Sequence, residues 1–301
     1  MLASIPASSP GRAPRSTAPS PSVCSLMGRA YRAALRESTA TRRAGEEGHR
    51  MPHPTRTRLP APLRRAAAEV HPYTALLLTL VIGGLLAYAL SWLTEEVYDS
   101  VAAGNGEGIA GIDRPALDVA LTLRSPVVDT VVTLFTDLAG PIVMPIIAAV
   151  AALVLGLRRR SWTPVILIVA AGVGSLLMTV AGKQVIGRER PPLEQAVPPY
   201  EYTPSFPSGH TLNAVVVVGV IAYLLILRRR TRGAKLALGI GAAAFAVLVG
   251  LSRAFLGHHW LTDVIAGWLL GGAWLAVVIT AHRASLVVRD VRASRGIHSS
   301  E

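Results

Sequence analysis

Six apolar runs, at residues 73–94, 140–157, 162–182, 210–227, 236–256 and 261–281, constrain this chain more than any other feature. Each is close to the ~20 residues that a helix needs to cross the hydrocarbon of a bilayer. A segment inside hydrocarbon must satisfy its own backbone amides, which a helix does. The runs therefore predict an all-α polytopic membrane protein, a bundle of six transmembrane helices. Composition points the same way: 51% of the 301 residues are hydrophobic, 16% are charged and the mean hydropathy is +0.45, values that exclude an ordinary soluble domain. The lone cysteine, Cys24, cannot close an intramolecular disulfide. With no Cys-x-x-Cys pair and no Cys/His cluster, the sequence carries no zinc or iron–sulfur signature.

The net charge of +12 is laid out as a membrane topology rather than as a nucleic-acid surface, so no nucleic-acid partner is expected. Arg158, Arg159 and Arg160 join the second and third runs; Arg228, Arg229, Arg230, Arg232 and Lys235 join the fourth and fifth. The positive-inside rule puts both loops in the cytoplasm. The head, with twelve arginines before residue 66, and the tail, with Arg283, Arg289, Arg292 and Arg295, fall on that same side, as an even number of spans requires. The expected organisation is a disordered basic cytoplasmic segment over 1–70, rich in Ala, Ser, Pro and Arg, a six-span membrane domain over 71–282, and a short basic cytoplasmic tail over 283–301.

Residues 95–139, 183–209 and 257–260 then face outside. The first of these carries Glu95, Glu96, Asp99, Glu107, Asp113 and Asp118 and reads as an external, partly helical cap, its apolar stretches broken by Pro126 and Gly140-Pro141. Gly239, Gly241, Gly267, Gly271 and Gly272 in the last two spans are placed for close helix–helix approach. Such faces serve one bundle or two, so oligomeric state is left open.

Six cations break the charge rule on the outer side: Lys183, Arg188, Arg190 and Arg253, with Arg114 and Arg124 in the cap. Polar groups at that depth are as a rule functional or paired. At the same boundary lie Ser208-Gly209-His210, opening the fourth run, and His259 and Asp263, opening the sixth. His259 and Asp263 are four apart on a predicted helix, so the carboxylate can accept the Nδ1 proton of the imidazole and leave Nε2 free. Pro207-Ser208-Gly209 precedes an apolar helix, whose first N–H groups and dipole favour an anion, with Ser208 as N-cap or anion ligand. Lys183, Arg190 and Arg253 supply enough charge for a tetrahedral dianion, the arginine forks matching phosphate oxygens.

Lys183-x6-Arg190-Pro191, Pro207-Ser208-Gly209-His210 and Ser252-Arg253-x5-His259-x3-Asp263 resemble, in order, the three signature motifs of the type-2 phosphatidic acid phosphatase superfamily. The resemblance covers roughly residues 73–281, with no departure at a motif position. It implies a metal-independent hydrolase of a lipid phosphomonoester or diphosphate, working without a cofactor through a phosphohistidine. In that scheme His259 is the nucleophile oriented by Asp263, and His210 protonates the leaving oxygen. Lys183, Arg190, Arg253, Ser208 and the Gly209 N–H hold the phosphate oxygens, the fixed cations standing in for a metal ion. His210 must start protonated and His259 neutral. Arg188 and Glu189, inside the x6 stretch, are read as pairing with each other or rimming the pocket. His258 is read as a neighbour, Tyr200, Tyr202, Phe206 and Trp260 as an interfacial aromatic belt, and His49, His53, His71, His282 and His298 as bystanders.

A site at the outer membrane edge suits a phosphate head on a lipid tail that stays in hydrocarbon. The undecaprenyl-diphosphatase branch, which recycles the carrier for cell-wall synthesis, is the leading expectation; phosphatidic acid or phosphatidylglycerophosphate hydrolysis and lipid phosphotransfer are the alternatives. A vanadate-dependent haloperoxidase shares the anion site but is soluble. A non-catalytic lipid-binding protein would not need His210, His259 and Asp263 together.

Overall fold

The structure is a computed structural model that describes residues 61–103 and 108–298. Residues 1–60 of the expected head lie outside the described residues. The described residues are helical, with no strand among them. We number the principal helices α1 (Ala61–Ala103), α2 (Asp113–Thr122), α3 (Pro126–Asp137), α4 (Val143–Arg159), α5 (Thr163–Ile186), α6 (Gly209–Ile226), α7 (Arg232–Phe255) and α8 (Leu261–His298).

Five helices are long and apolar enough to cross a membrane: α1 from Tyr73, α5, α6, α7, and α8 through Arg289. The remaining expected span is α4. At 17 residues it is about 25 Å long, at the lower edge of what crosses hydrocarbon. The first span also runs further than expected. Glu95, Glu96 and Asp99, read from sequence as the start of the external cap, are the last turns of α1, which continues to Ala103. Charged side chains on an outer turn are solvated without breaking the helix, so the loss of hydropathy marked the end of hydrocarbon rather than the end of the element. At the other end, α8 carries on from the sixth run through the expected tail to His298.

The bundle is built around α6. Leu212, Val216, Val220 and Leu224, each four residues apart, are all buried and pack with Ala152 and Leu155 of α4, Leu167, Ile168 and Ala171 of α5, and Val278 of α8. A helix apolar on every face belongs in the middle of an assembly, and half of the α6 window is buried. In contrast only 6% of the α1 window is buried; Leu77, Leu85 and Tyr88 point outward, as lipid-facing side chains do. Leu93 and Val97, with Leu90 beside them, anchor its C-terminal end against Ile186, Phe206 and Ala266. Phe206 is thus a core residue rather than part of an aromatic belt, whereas Tyr200 and Tyr202 are exposed.

Two glycines let the Pro207–His210 turn sink between helices. A Cβ on Gly182 of α5 would lie 2.5 Å from Pro207 Cδ, and one on Gly267 of α8 would lie 3.0 Å from the Ser208 carbonyl and 2.9 Å from Thr211 Cβ. Gly271 and Gly272 also meet neighbours closely, as expected, but Gly239 and Gly241 face open space. Local stops aim the loops at the Lys183 end of the bundle. Gly187, at φ 62°, ends α5 and returns its N–H to the Lys183 carbonyl at 3.1 Å, a left-handed cap that glycine adopts without strain. Arg124, one of the cations expected to break the charge rule, donates from Nε to the Phe255 carbonyl at 2.9 Å and so caps α7. In α6, Ala214–Val218 form a π turn immediately after the Gly209–Asn213 turn; such bulges recur at functional sites.

Candidate active site

The motif residues converge at one end of the bundle, where α5 ends, α6 begins, and α7 hands over to α8. His259 lies in the short loop before α8, 2% exposed, and Asp263 in the first turn of α8 is 0% exposed. His259 Nδ1 stands 3.6 Å from Asp263 Oδ2, beyond a hydrogen bond. Ser205 fills the angle between them: its hydroxyl donates to Asp263 Oδ2 and lies 3.4 Å from His259 Nδ1. The expected histidine–carboxylate pair is therefore present as a triangle with a serine that sequence reading passed over. Trp260 N donates to the same Oδ2 at 2.9 Å.

The other carboxylate oxygen of Asp263 belongs to Arg188. The guanidinium donates from one nitrogen to Asp263 Oδ1 at 2.7 Å and to Thr262 Oγ1 at 2.6 Å, and from the next to Asp113 Oδ2 at 2.7 Å. All three charged groups are buried. The expected Arg188–Glu189 pairing is not what forms; Arg188 turns inward, over the Trp260 ring at 5.7 Å, and Glu189 contributes its backbone carbonyl to Trp260 Nε1 at 2.8 Å. Asp113 also accepts the backbone N–H of Thr262 at 2.8 Å, capping α8 from the first residue of α2. Burial would lower the Arg188 pKa, but Asp263 and Asp113 outweigh it and raise it.

Arg190 faces the opposite side of His259. One terminal nitrogen lies 3.4 Å from His259 Nε2 and donates to the His258 carbonyl; Nε donates to the Thr203 carbonyl at 2.6 Å. Lys183 Nζ reaches the same strap, donating to Thr203 Oγ1 at 3.0 Å and to the Pro204 carbonyl. Arg253, 2% exposed, donates to Glu201 Oε1, and Arg190 pairs with Glu201 Oε2 at 2.8 Å. Glu201 thus sits on two of the cations expected from the sequence to hold phosphate. Burial would raise its pKa, but Arg253, His259 and Arg190 hold it down at about 2. Burial, then Arg190 and Arg253, hold the His259 pKa well below its ordinary value, so at neutral pH the ring keeps a lone pair for attack.

His210 opens α6 where Gly140 leaves room: a Cβ on Gly140 would be 3.3 Å from His210 Nε2. Of the two expected roles of Ser208, N-cap or anion ligand, the capping bond does not form, although the residue stands at the N-cap of α6. Its hydroxyl instead accepts from Thr211 Oγ1 at 3.0 Å, and its N–H is taken by the Asp263 carbonyl at 3.1 Å. His258 points away, Nε2 lying 2.6 Å from the Val197 carbonyl; burial and Arg253 lower its pKa to about 4. His282 meets Tyr223 OH at 2.9 Å in the bundle, apart from the site. Among the described residues no group of three His, Cys, Asp or Glu side chains is placed to hold a metal ion.

A family model described as the PAP2 superfamily matches residues 163–286, which include all three motifs. Phosphatidylglycerophosphatase B of Bacillus subtilis is 35% identical over 173 residues, an alignment that covers 56% of this chain and 83% of that protein. The chain belongs to the PAP2 superfamily. An undecaprenyl-diphosphatase of Sulfolobus acidocaldarius is 36% identical over 132 residues, 42% of this chain and 58% of its own length. The crystal structure of a transmembrane PAP2-type phosphatidylglycerolphosphate phosphatase from Bacillus subtilis superposes with a TM-score of 0.60 at 29% identity, covering 67% of this chain and 96% of that one. The motif resemblance read in the sequence is thereby confirmed. The protein is a multi-pass PAP2-type membrane lipid phosphatase.

Glu201, Ser205 and Asp113 are the members of this PAP2 site that the sequence did not single out. Glu201 and Ser205 flank the motif loop without periodicity, and Asp113 lies 150 residues before Asp263. A carboxylate three residues before the Pro204-Ser205 step carries no sequence signal of its own.

Proposed function

We propose that the chain hydrolyses a lipid phosphate at the external membrane face through a phosphohistidine on His259. The observation that carries this is the buried neutral His259, whose Nε2 lies beside the Arg190 guanidinium while Nδ1 is held on the Ser205–Asp263 side. Nε2 would attack phosphorus as the P–O bond to the lipid breaks. Arg190, Arg253 and Lys183 would take up the charge spread over the equatorial oxygens. His210 would give its proton to the leaving oxygen and then take one from the water that cleaves the phosphohistidine, returning His259 and releasing inorganic phosphate. These roles use side chains alone and no metal or cofactor. The outward orientation rests on charge: Arg158–Arg160 and Arg228–Arg232 join helices at the end of the bundle away from Lys183 and His210, which puts both termini in the cytoplasm.

Two lipid classes compete as substrate. The carrier lipid undecaprenyl diphosphate is the expectation from the sequence. Phosphatidylglycerophosphate is favoured by the wider alignment, the relative of that activity being matched over 83% of its length. Phosphate release by the detergent-solubilised chain with EDTA present, on undecaprenyl diphosphate, phosphatidic acid and phosphatidylglycerophosphate, ranks them. A larger kcat/KM on one class assigns it. No release from any of the three, with release unchanged on adding an alcohol acceptor, contradicts the proposal.

A further inference from the structure

The cation cluster already carries a carboxylate of the chain itself. The two oxygens of Glu201 bond to different guanidiniums, Oε1 to Arg253 and Oε2 to Arg190 at 2.8 Å, in the bridging fashion by which two phosphate oxygens would be held. Its strap is tied at both ends: Val197 N donates to the Leu256 carbonyl at 2.9 Å, and Ser205 N to the Arg188 carbonyl at 2.7 Å. Between these ties Tyr200 and Tyr202 are exposed, the latter at 83%, so little packing fixes residue 201. The ion pairs to Arg190 and Arg253 hold its side chain, while Arg190 and Lys183 hold the backbone after it at the Thr203 and Pro204 carbonyls, so the side chain can swing out about its own bonds while the strap stays attached.

We propose that Glu201 is an intramolecular competitor for the phosphate site, leaving Arg190 and Arg253 when the phosphate of the substrate arrives and returning to expel inorganic phosphate after the phosphohistidine is hydrolysed. The proposal rests on the lipid-phosphatase reading of the site. No bond is made or broken in the exchange; one anion replaces another on the same two guanidiniums. When a resident group must leave first, the apparent affinity of every competing ligand is its intrinsic affinity multiplied by the fraction of molecules in which that group is out. The factor is the same for substrate and for product. A residue that only shapes the loop would not impose a common factor on both.

The experiment is a titration of the detergent-solubilised full chain with inorganic phosphate by calorimetry, beside steady-state kinetics on the best lipid phosphate, for wild type, Glu201→Gln and Glu201→Asp. Glu201→Gln keeps the shape and removes the charge. It should tighten inorganic phosphate by about tenfold or more, lower KM by the same factor, and lower kcat because phosphate leaves more slowly. Glu201→Asp, one methylene short of spanning both guanidiniums, should shift phosphate binding in the same direction by less, and it decides the question if the glutamine variant does not fold. Phosphate binding that is unchanged or weaker in both variants, or a KM that rises while phosphate affinity stays put, overturns the proposal. A wild type that binds phosphate yet releases none from any lipid refutes the phosphatase reading, while the titration still judges the competition.

Discussion

Arg188→Met is the perturbation whose cost the structure defines best. The guanidinium stands between two buried carboxylates, 2.7 Å from Asp113 and 2.7 Å from Asp263, all three side chains under 10% exposed. Methionine fills much of the volume but leaves two carboxylates facing each other with no cation. Removing one partner of a buried pair costs about 3–5 kcal/mol. For a domain of this size each kcal/mol moves the unfolding midpoint by roughly 2–4 °C, so a fall of about 6–20 °C is expected. Asp113→Asn removes one charged hydrogen bond and leaves a neutral Arg188–Asp263 pair, a cost of about 1.5–3 kcal/mol. The double variant relieves the carboxylate repulsion, so its loss should be smaller than the sum of the single losses by at least about 1.5 kcal/mol. Thermal unfolding in detergent, followed by circular dichroism, reads all four proteins. A midpoint shift below about 3 °C for Arg188→Met, or strict additivity, would show that the three groups are not coupled.

Three further outcomes follow from the same geometry. Ser205→Ala removes the hydroxyl between His259 and Asp263, a hydrogen bond to a carboxylate worth about 1.5–3 kcal/mol; kcat should fall by roughly ten- to a hundredfold with KM unchanged, and a change in KM alone would refute the orienting role. The same substitution at two glycines should have opposite signs: Gly267→Ala drives a methyl to within 3.0 Å of the Ser208 carbonyl and should destabilise by about 1–3 kcal/mol, whereas Gly239→Ala enters open space on α7 and should stabilise by about 0.5–1 kcal/mol. Stability should decline as pH falls. His258 is held at about 4, so the unfolded chain binds the extra proton from about pH 6.5 downward. Glu201 is held at about 2 against an ordinary 4.5, so its contribution is present above about pH 4.5 and is lost as pH falls toward 2. An unfolding midpoint that is flat or rises between pH 7 and 3 contradicts these assignments.

The helices and the motif side chains were legible because they obey local rules. Hydropathy marks a span wherever backbone amides must be satisfied inside lipid, and the relative placement of Lys183, Arg190, His210, Arg253, His259 and Asp263 survives as linear spacing. What escaped is held by contacts distant in the chain. Asp113 looked like one acidic residue of a solvated cap, and only the fold brings it to Arg188 and Thr262. Arg188 looked paired with its neighbour Glu189, because sequence adjacency suggests partners that a loop backbone then points in opposite directions. The end of α1 was placed at Glu95 because charges end a hydropathy window, although they do not end a helix that has emerged into water.

The most direct test is to trap the covalent intermediate. The solubilised chain, mixed with a lipid phosphate labelled in its terminal phosphate and quenched at alkaline pH within the first turnover, should carry acid-labile label on a peptide containing His259, and the label should be absent in His259→Ala. Label on another residue, or phosphate release by folded His259→Ala at the wild-type rate, would contradict the account.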